Sequence, residues 1–372
     1  MSRRISLCLS VVCIAGAAAL SPPAPLPTPL AVERPLHLLD APSDRTEAAA
    51  STGVARMGAA PRHNAEGRAA TAQGSAERAA VAVVDTGIAA RPDLHVAGME
   101  NCVSGSAGSD PNGHGTHVAG IVAADGGRGV YGVSPGTPLY AVRVMRPDGS
   151  GDSSEAICGL NWVADHAAAY HIKVVNLSLG GPGRDDGNCG RTDHDDLHAA
   201  VCRVVAAGVT VVAAAGNDAE DLSYSVPAAY SEVLAVTAMA DFDGAPGGRG
   251  TPPADCDTWD KDDSAADYSG FAVPGSPAAR RTIAAPGDCI TSTWNDGGTK
   301  SLSGTSMAAP HVAGLVARCI DAGPCAGLSP AQIIAKLQAD AAARPASWGF
   351  LGDTHRPYRD RHFGNLATVA GY

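Results

Sequence analysis

The sequence predicts an α/β fold of three layers, a doubly wound and mainly parallel sheet with helices on both faces. Short continuous apolar runs at residues 81–84, 140–145, 172–177, 209–215 and 233–238 are the first observation behind it. A strand with one face in water alternates apolar and polar residues, whereas an unbroken apolar run marks a strand covered on both sides. Helix-length segments at 114–124, 153–169 and 195–207 separate these runs, as parallel strands with helical crossovers require. The third observation is residue size. Hydrophobic residues make up 45% of the 372 but aromatic ones only 4%. An interior of Ala, Gly and Val lets helices and strands approach closely.

Two more helices are expected, one opening near Ser306 and one near Ser329-Pro330, where a capping hydroxyl precedes a proline in the first turn. Residues 241–280, rich in Gly, Pro and Asp, read as long surface loops. Neither an internal repeat nor a second domain is visible.

The N-terminus begins Met1-Ser2-Arg3-Arg4, continues as an apolar run from Ile5 to Leu20, and offers Ala17-Ala18-Ala19 for cleavage. That pattern is a secretory signal peptide. The run is shorter than the ~20 residues of a membrane-spanning helix, so a soluble extracellular monomer is expected, with no membrane attachment after cleavage. Residues 21–35 are Pro-rich and 41–80 rich in Ala, Arg, Gly and Ser. The expected organisation is a signal peptide over 1–20, a Pro/Ala-rich linker or short pro-segment over 21–52, and one catalytic domain over 53–372. The formal charge of −11 argues against nucleic acid and anionic lipid as partners, since both need a basic face.

Of ten cysteines, Cys8 and Cys13 leave with the signal peptide, and the remaining eight suggest disulfides in an exported chain. Cys319 and Cys325 flank a Gly-Pro turn and are the strongest pair. Cys189 with Cys202 and Cys256 with Cys289 follow from their loops, and elimination leaves Cys102 with Cys158. No C-x-x-C pair suggests zinc.

Three segments carry chemistry. Val81 to Gly87 sets Asp85 at the carboxyl end of a buried strand. Gly113-His114-Gly115-Thr116-His117 opens a helix with a histidine, and Gly304-Thr305-Ser306-Met307-Ala308-Ala309-Pro310 opens another with a serine. Acyl transfer from an amide needs a hydroxyl nucleophile, a base of near-neutral pKa and an acid that orients the base. Active sites of open α/β sheets form at the carboxyl ends of strands, so Asp85, His114 and Ser306 are candidate neighbours. A further strand ends at Ala214-Ala215-Gly216-Asn217, where the Asn217 amide, with the Ser306 N–H, is placed to receive a tetrahedral oxyanion. The segment from Val175 to Gly181 has a free edge on which an extended peptide can add as a strand.

These segments closely resemble those of the subtilases, the subtilisin-like serine proteases of secreted bacterial type, over about residues 80–320. The resemblance implies that Asp85, His114 and Ser306 form the triad and that Asn217 is the oxyanion donor. It implies that Ser178, Leu179 and Gly180 bind substrate main chain and wall the primary pocket, with Ala214, Ala215 and Gly216 opposite. Polypeptides are the implied substrates, and no cofactor is required. Ser225, in the stretch from Ser223 to Ala228, should close the far end of the pocket. It is small, brings no charge to the base, and Asp218 stands near the rim. Broad cleavage after large neutral residues is expected, with tolerance for basic ones. Many subtilases hold calcium on the loop after the catalytic helix. The corresponding stretch here, Asp125-Gly126-Gly127-Arg128-Gly129-Val130, is short and carries an arginine. Hard cations want six or more oxygens, so the usual loop site looks absent, no metal ligands are assigned, and structural calcium elsewhere remains open. The pro-domain common in the family has no visible counterpart, so folding without an intramolecular chaperone is expected.

A lipase or esterase would show a G-x-S-x-G elbow with Ser before Asp and His, and neither is present. A catalytically inactive binding module is the rival outside enzymes, and the presence of all four site residues argues against it. His117 and His311 read as satisfied core histidines. His194 and His198, spaced i and i+4 among Asp193, Asp195 and Asp196, read as a solvated helix start.

Overall fold

The computed structural model describes residues 52–59, 78–103, 109–254 and 256–372, and the backbone of a strand at 29–32. The signal peptide and most of the 21–52 segment lie outside the described residues. In chain order the elements are β1 (Pro29–Val32), α1 (Thr52–Arg56), β2 (Ala80–Asp85), β3 (Val96–Asn101), α2 (His114–Ala123), β4 (Leu139–Arg143), β5 (Ser150–Asp152) and α3 (Ser153–His166). They continue with β6 (Ile172–Leu177), β7 (Leu179–Pro182), α4 (Asp196–Ala206), β8 (Thr210–Ala214), β9 (Ser225–Val226), β10 (Leu234–Ala240) and β11 (Ser264–Ala265). The last are β12 (Thr282–Asp288), β13 (Ile290–Thr293), β14 (Thr299–Leu302), α5 (Thr305–Asp321) and α6 (Pro330–Ala342).

The central sheet runs β11-β10-β8-β6-β2-β4-β3, with β12 beside β10. Every pairing in it is parallel except that of the short β11. Alternation along β2 builds the three layers. Val81 and Val83 join Val118, Ile121 and Val122 of α2 and Val312 of α5 in one core. Ala80, Ala82 and Val84 join Leu160 and Val163 of α3 and Val201 and Val204 of α4 in the other. Both faces are dry, so the strand is apolar throughout. The expected doubly wound, mainly parallel sheet is the observed one, and the strand expected over 172–177 is β6.

Several elements were not expected. β3 is an edge strand whose residues alternate between half-buried and exposed, so it lacks the unbroken apolar run. β12 contains Pro286 and Gly287, which read as a breaker. They are tolerated because the outer side of β12 meets the chain through a single bridge, from Ala284 to Leu366, two residues before Pro286. The capping box of α6 is as the sequence suggested: the Ser329 hydroxyl accepts from the Gln332 N–H and Pro330 stands in the first turn. The four disulfides join Cys102 to Cys158, Cys189 to Cys202, Cys256 to Cys289 and Cys319 to Cys325, as expected. No helix among the described residues is long and apolar enough to cross a membrane.

His117 and His311 are core residues. His117 Nε2 lies 3.0 Å from the Ile290 carbonyl and 2.9 Å from that of Lys300, and the His311 Nδ1–H donates to the Met307 carbonyl at 2.8 Å. Burial lowers the first to about 3 and the second to about 4 from an ordinary 6.5. A depressed histidine pKa means that the unfolded chain takes up protons the folded one refuses. The stability held by the neutral rings is therefore complete above pH 6.5 and falls as pH drops towards 4. At pH 5 the His311→Gln variant should take up about one proton fewer on unfolding than the parent, read from the pH dependence of its unfolding free energy. Equal slopes would show that the ring is already charged in the folded protein.

Candidate active site

The chain builds β3 and β4 on one side of β2, then crosses to build β6, β8 and β10 on the other. A crevice opens at the carboxyl ends of strands where the winding reverses, and Asp85 is the last residue of β2. It is fully buried, and the His114 Nδ1–H lies 2.8 and 2.9 Å from its two carboxylate oxygens. The Thr86 N–H donates to Asp85 Oδ1 at 2.6 Å. The carboxylate thus fixes both the tautomer and the plane of the imidazole.

His114 is the first residue of α2, and its placement depends on a residue that sequence reasoning missed. Asp110 is buried. Its Oδ1 accepts from the Thr86 hydroxyl at 2.8 Å and from the N–H groups of Asn112 and Gly113 at 3.0 and 2.8 Å. Its Oδ2 accepts from the N–H and hydroxyl of Thr116 at 2.9 and 2.8 Å. One carboxylate therefore ties the turn before the histidine, the first turn of the helix and the end of β2. Its position four residues before His114 was the only available signal. A Cβ at Gly115 would stand 2.1 Å from the Gly87 carbonyl, so only glycine lets α2 start this close to β2.

Ser306 is the second residue of α5, a helix that packs against α2, β6 and β8. Its hydroxyl donates to the Ser178 carbonyl at 3.1 Å, and the Ser178 hydroxyl donates to the Ser306 carbonyl at 2.7 Å. Pro310 explains the second bond. In an unbroken helix the N–H four residues on would satisfy the Ser306 carbonyl, and proline has none. Ser178 supplies the missing donor, and Asn176 Nδ2 donates in turn to the Ser178 hydroxyl at 2.9 Å.

Asn217 follows β8. Its Oδ1 accepts from the Thr305 N–H at 2.9 Å and the Thr305 hydroxyl at 3.0 Å. Nδ2 is thereby turned the other way, and it is buried without a partner among the described residues. A Cβ at Gly304 would lie 3.1 Å from that nitrogen, and φ there is 151°, so glycine keeps its approach open. An unpaired donor beside a helix N-terminus is what a developing oxyanion needs and what a resting protein otherwise avoids.

Leu179 and Gly180 lead β7, which pairs with β9 through Pro182 and Ser225. Cβ atoms at Gly180 and at Gly216 would each lie 3.4 Å from the Ser225 hydroxyl. Ser225 therefore stands between Gly180 at the start of β7 and Gly216 after β8. The backbone of β1 lies antiparallel between β5 and β7. Ala31 is opposite both Ser150 and Gly180, and Val32 is opposite Leu179, the neighbour of Ser178. An extended segment of the chain itself thus takes the place of a third strand there.

One expectation is corrected. His194 is exposed, but His198 is fully buried and not part of a solvated helix start. α4 begins at Asp196, capped by Asp195, which turns His198 inward. Its ring stacks on Tyr230 with centroids 4.1 Å apart, its Nδ1 is 3.1 Å from Asp186 and its Nε2 2.9 Å from Glu232. These acids come from distant loops, not from the neighbouring aspartates.

The family model for the subtilase family matches residues 77–365. The chain belongs to the subtilase family. Subtilisin DY of Bacillus licheniformis is 38% identical over 267 residues, which cover 70% of this chain and 82% of that protein. A cold-adapted subtilisin-like serine proteinase superposes with a TM-score of 0.60 at 27% identity, covering 86% of this chain and 98% of the other. The S41 psychrophilic protease gives 0.64 at 29%, covering 87% and 99%. As a subtilase the chain is a serine endopeptidase, and polypeptides are its substrate class.

For this subtilase, Asp110→Ala should lower turnover at least as severely as stability. Several buried donors would lose their acceptor at about 1–3 kcal/mol each, and His114 would lose the turn that aims it. Urea unfolding and steady-state kinetics on one preparation check both. A stable variant with full turnover would show that Asp110 does not position the histidine.

Proposed function

We propose that this subtilase is a secreted endopeptidase of broad specificity in which Ser306 is the nucleophile, His114 the general base and acid, Asp85 the residue that orients His114, and Asn217 the oxyanion donor. The Ser306 hydroxyl attacks the scissile carbonyl carbon as its proton passes to His114. The resulting oxyanion is held by Asn217 Nδ2 and the Ser306 N–H at the positive end of α5. Collapse of this intermediate breaks the C–N bond, and the leaving amine takes the proton from His114. Water then hydrolyses the acyl-enzyme by the same route.

The observation that carries this reading is β1. A strand lies antiparallel between β5 and β7, one residue along from the carbonyl that accepts from Ser306. Main-chain pairing is blind to side chains, which suits an enzyme that accepts many sequences. Ser225, which stands between Gly180 and Gly216, would bring no charge to the base of the primary pocket, which favours large neutral residues beside the cleaved bond. The basic start, apolar run and small residues at the N-terminus support secretion, and the four disulfides fit an oxidising compartment.

Ser306→Ala should abolish both fluorophosphonate labelling and hydrolysis of an unfolded protein. Asn217→Leu should lower kcat by roughly 10²–10³ with KM little changed, because the donor acts only on the developing charge. A raised KM at unchanged kcat would instead make Asn217 a ground-state binding residue. A peptide library cleaved only after Arg or Lys would contradict the specificity.

A further inference from the structure

Asp241, at the end of β10, sits in a buried acidic corner away from the triad. Its side chain is fully buried. Oδ2 accepts from the Gly244 N–H at 2.9 Å, but Oδ1 has no hydrogen-bond donor among the described residues. The nearest positive group is Arg56 Nε, 3.4 Å away. Nε carries a single hydrogen, which is directed at Asp263 Oδ1 at 2.9 Å, and Nη2 donates to the carbonyls of Trp348 and Gly349. Arg56 Nη1 is buried without a hydrogen-bond partner among the described residues, so Asp241 and Asp263 share one buried cation that gives no hydrogen to Asp241 Oδ1.

Two more carboxylates converge on the same corner. Asp241, Asp243 and Asp262 each offer one oxygen, and the three oxygens lie within 4.8 Å of one another. Oxygens bound to one calcium ion at ~2.4 Å stand at most ~4.8 Å apart. Asp262 is oriented by the N–H groups of Phe242 and Gly250, both at 2.7 Å, so each of its oxygens keeps a lone pair. Asp243 stands two residues after Asp241, and its carboxylate reaches solvent. The donors are all oxygen, with no histidine or thiolate among them, which selects a hard cation over zinc or copper.

We propose that Asp241, Asp243 and Asp262 hold a structural calcium ion, with water and main-chain carbonyls completing its shell. The ion would supply the charge that Arg56 alone does not. Bound calcium would clamp three parts of the chain. The Asp241 carbonyl accepts from the Thr52 hydroxyl of α1 at 3.1 Å, Asp262 holds the loop through Gly250, and Arg56 reaches the 348–349 segment. This place is distinct from the Asp125 loop.

The test uses full-length Ser306→Ala protein, with its disulfides intact, so that self-digestion cannot intervene. After EGTA treatment, the protein and its Asp243→Asn and Asp241→Asn derivatives are titrated with calcium chloride by calorimetry, and their melting temperatures are read with calcium and with EGTA. Asp243 is exposed, so its variant keeps the fold even if Asp241→Asn does not. Ions bound elsewhere are common to all three proteins and cancel in the comparison. The parent should bind one ion more than Asp241→Asn, and Asp243→Asn should bind that ion at least about tenfold more weakly, since one of three charged ligands is gone. The calcium-dependent rise in melting temperature should shrink in both. Identical stoichiometry, affinity and melting shift in the parent and Asp243→Asn would overturn the proposal.

Discussion

Pro310 removes one main-chain donor from the second turn of α5, and the arrangement of the site follows from how that loss is met. The freed Ser306 carbonyl takes its hydrogen from the Ser178 hydroxyl, while the Ser306 hydroxyl gives its own to the Ser178 carbonyl. Two residues separated by 128 positions are thereby locked together at the junction of β6 and β7. The same junction is where Leu179 and Gly180 form the start of β7, so Ser306 and that strand share one support. Thr305, a residue earlier in α5, holds Asn217 by its side-chain oxygen and so turns the amide N–H groups away. One helix terminus thus places Ser306, the start of β7 and Asn217 together.

The other half of the site is organised around carboxylates. Asp85 aligns His114, and Asp110 ties the turn before it to the end of β2. Both are buried and both have their oxygens occupied by donors, so neither carries an unmet charge into the core. The small residues follow from the same demand. Gly115 allows α2 to start against Gly87, and Gly180 and Gly216 both stand beside Ser225. The aromatic share is low because these close approaches recur wherever helix meets sheet.

Much of this was legible in the sequence. Doubly buried strands announce themselves as unbroken apolar runs, and β6 matches its run residue for residue. Asp85, His114, Ser306 and Asn217 each stand where a strand ends or a helix begins, which is where chemistry collects in this fold class. Illegible features depend on contacts between distant segments. β3 is half in water and carries no apolar run. β12 hides behind Pro286 and Gly287, which are harmless because the bridge on its outer side falls at Ala284, before the proline. Asp110 acts through five hydrogen bonds that no spacing rule encodes. The acids around His198 come from residues 185, 186 and 232, so its neighbours in sequence suggested solvent when the fold supplies a buried pocket. The pairing of Ser178 with Ser306 likewise appears only when the sheet and α5 are assembled.

The exchange between Ser178 and Ser306 is tested most directly by a double-mutant cycle with Pro310. Ser178→Ala leaves the Ser306 carbonyl buried without a donor and should lower unfolding free energy by about 1–3 kcal/mol, together with the rate at which a fluorophosphonate labels Ser306. Adding Pro310→Ala restores a main-chain N–H four residues after Ser306, so the double variant should recover most of both losses. Strong positive coupling between the two substitutions is the predicted result. Simple additivity, with the double variant no better than Ser178→Ala, would contradict the account.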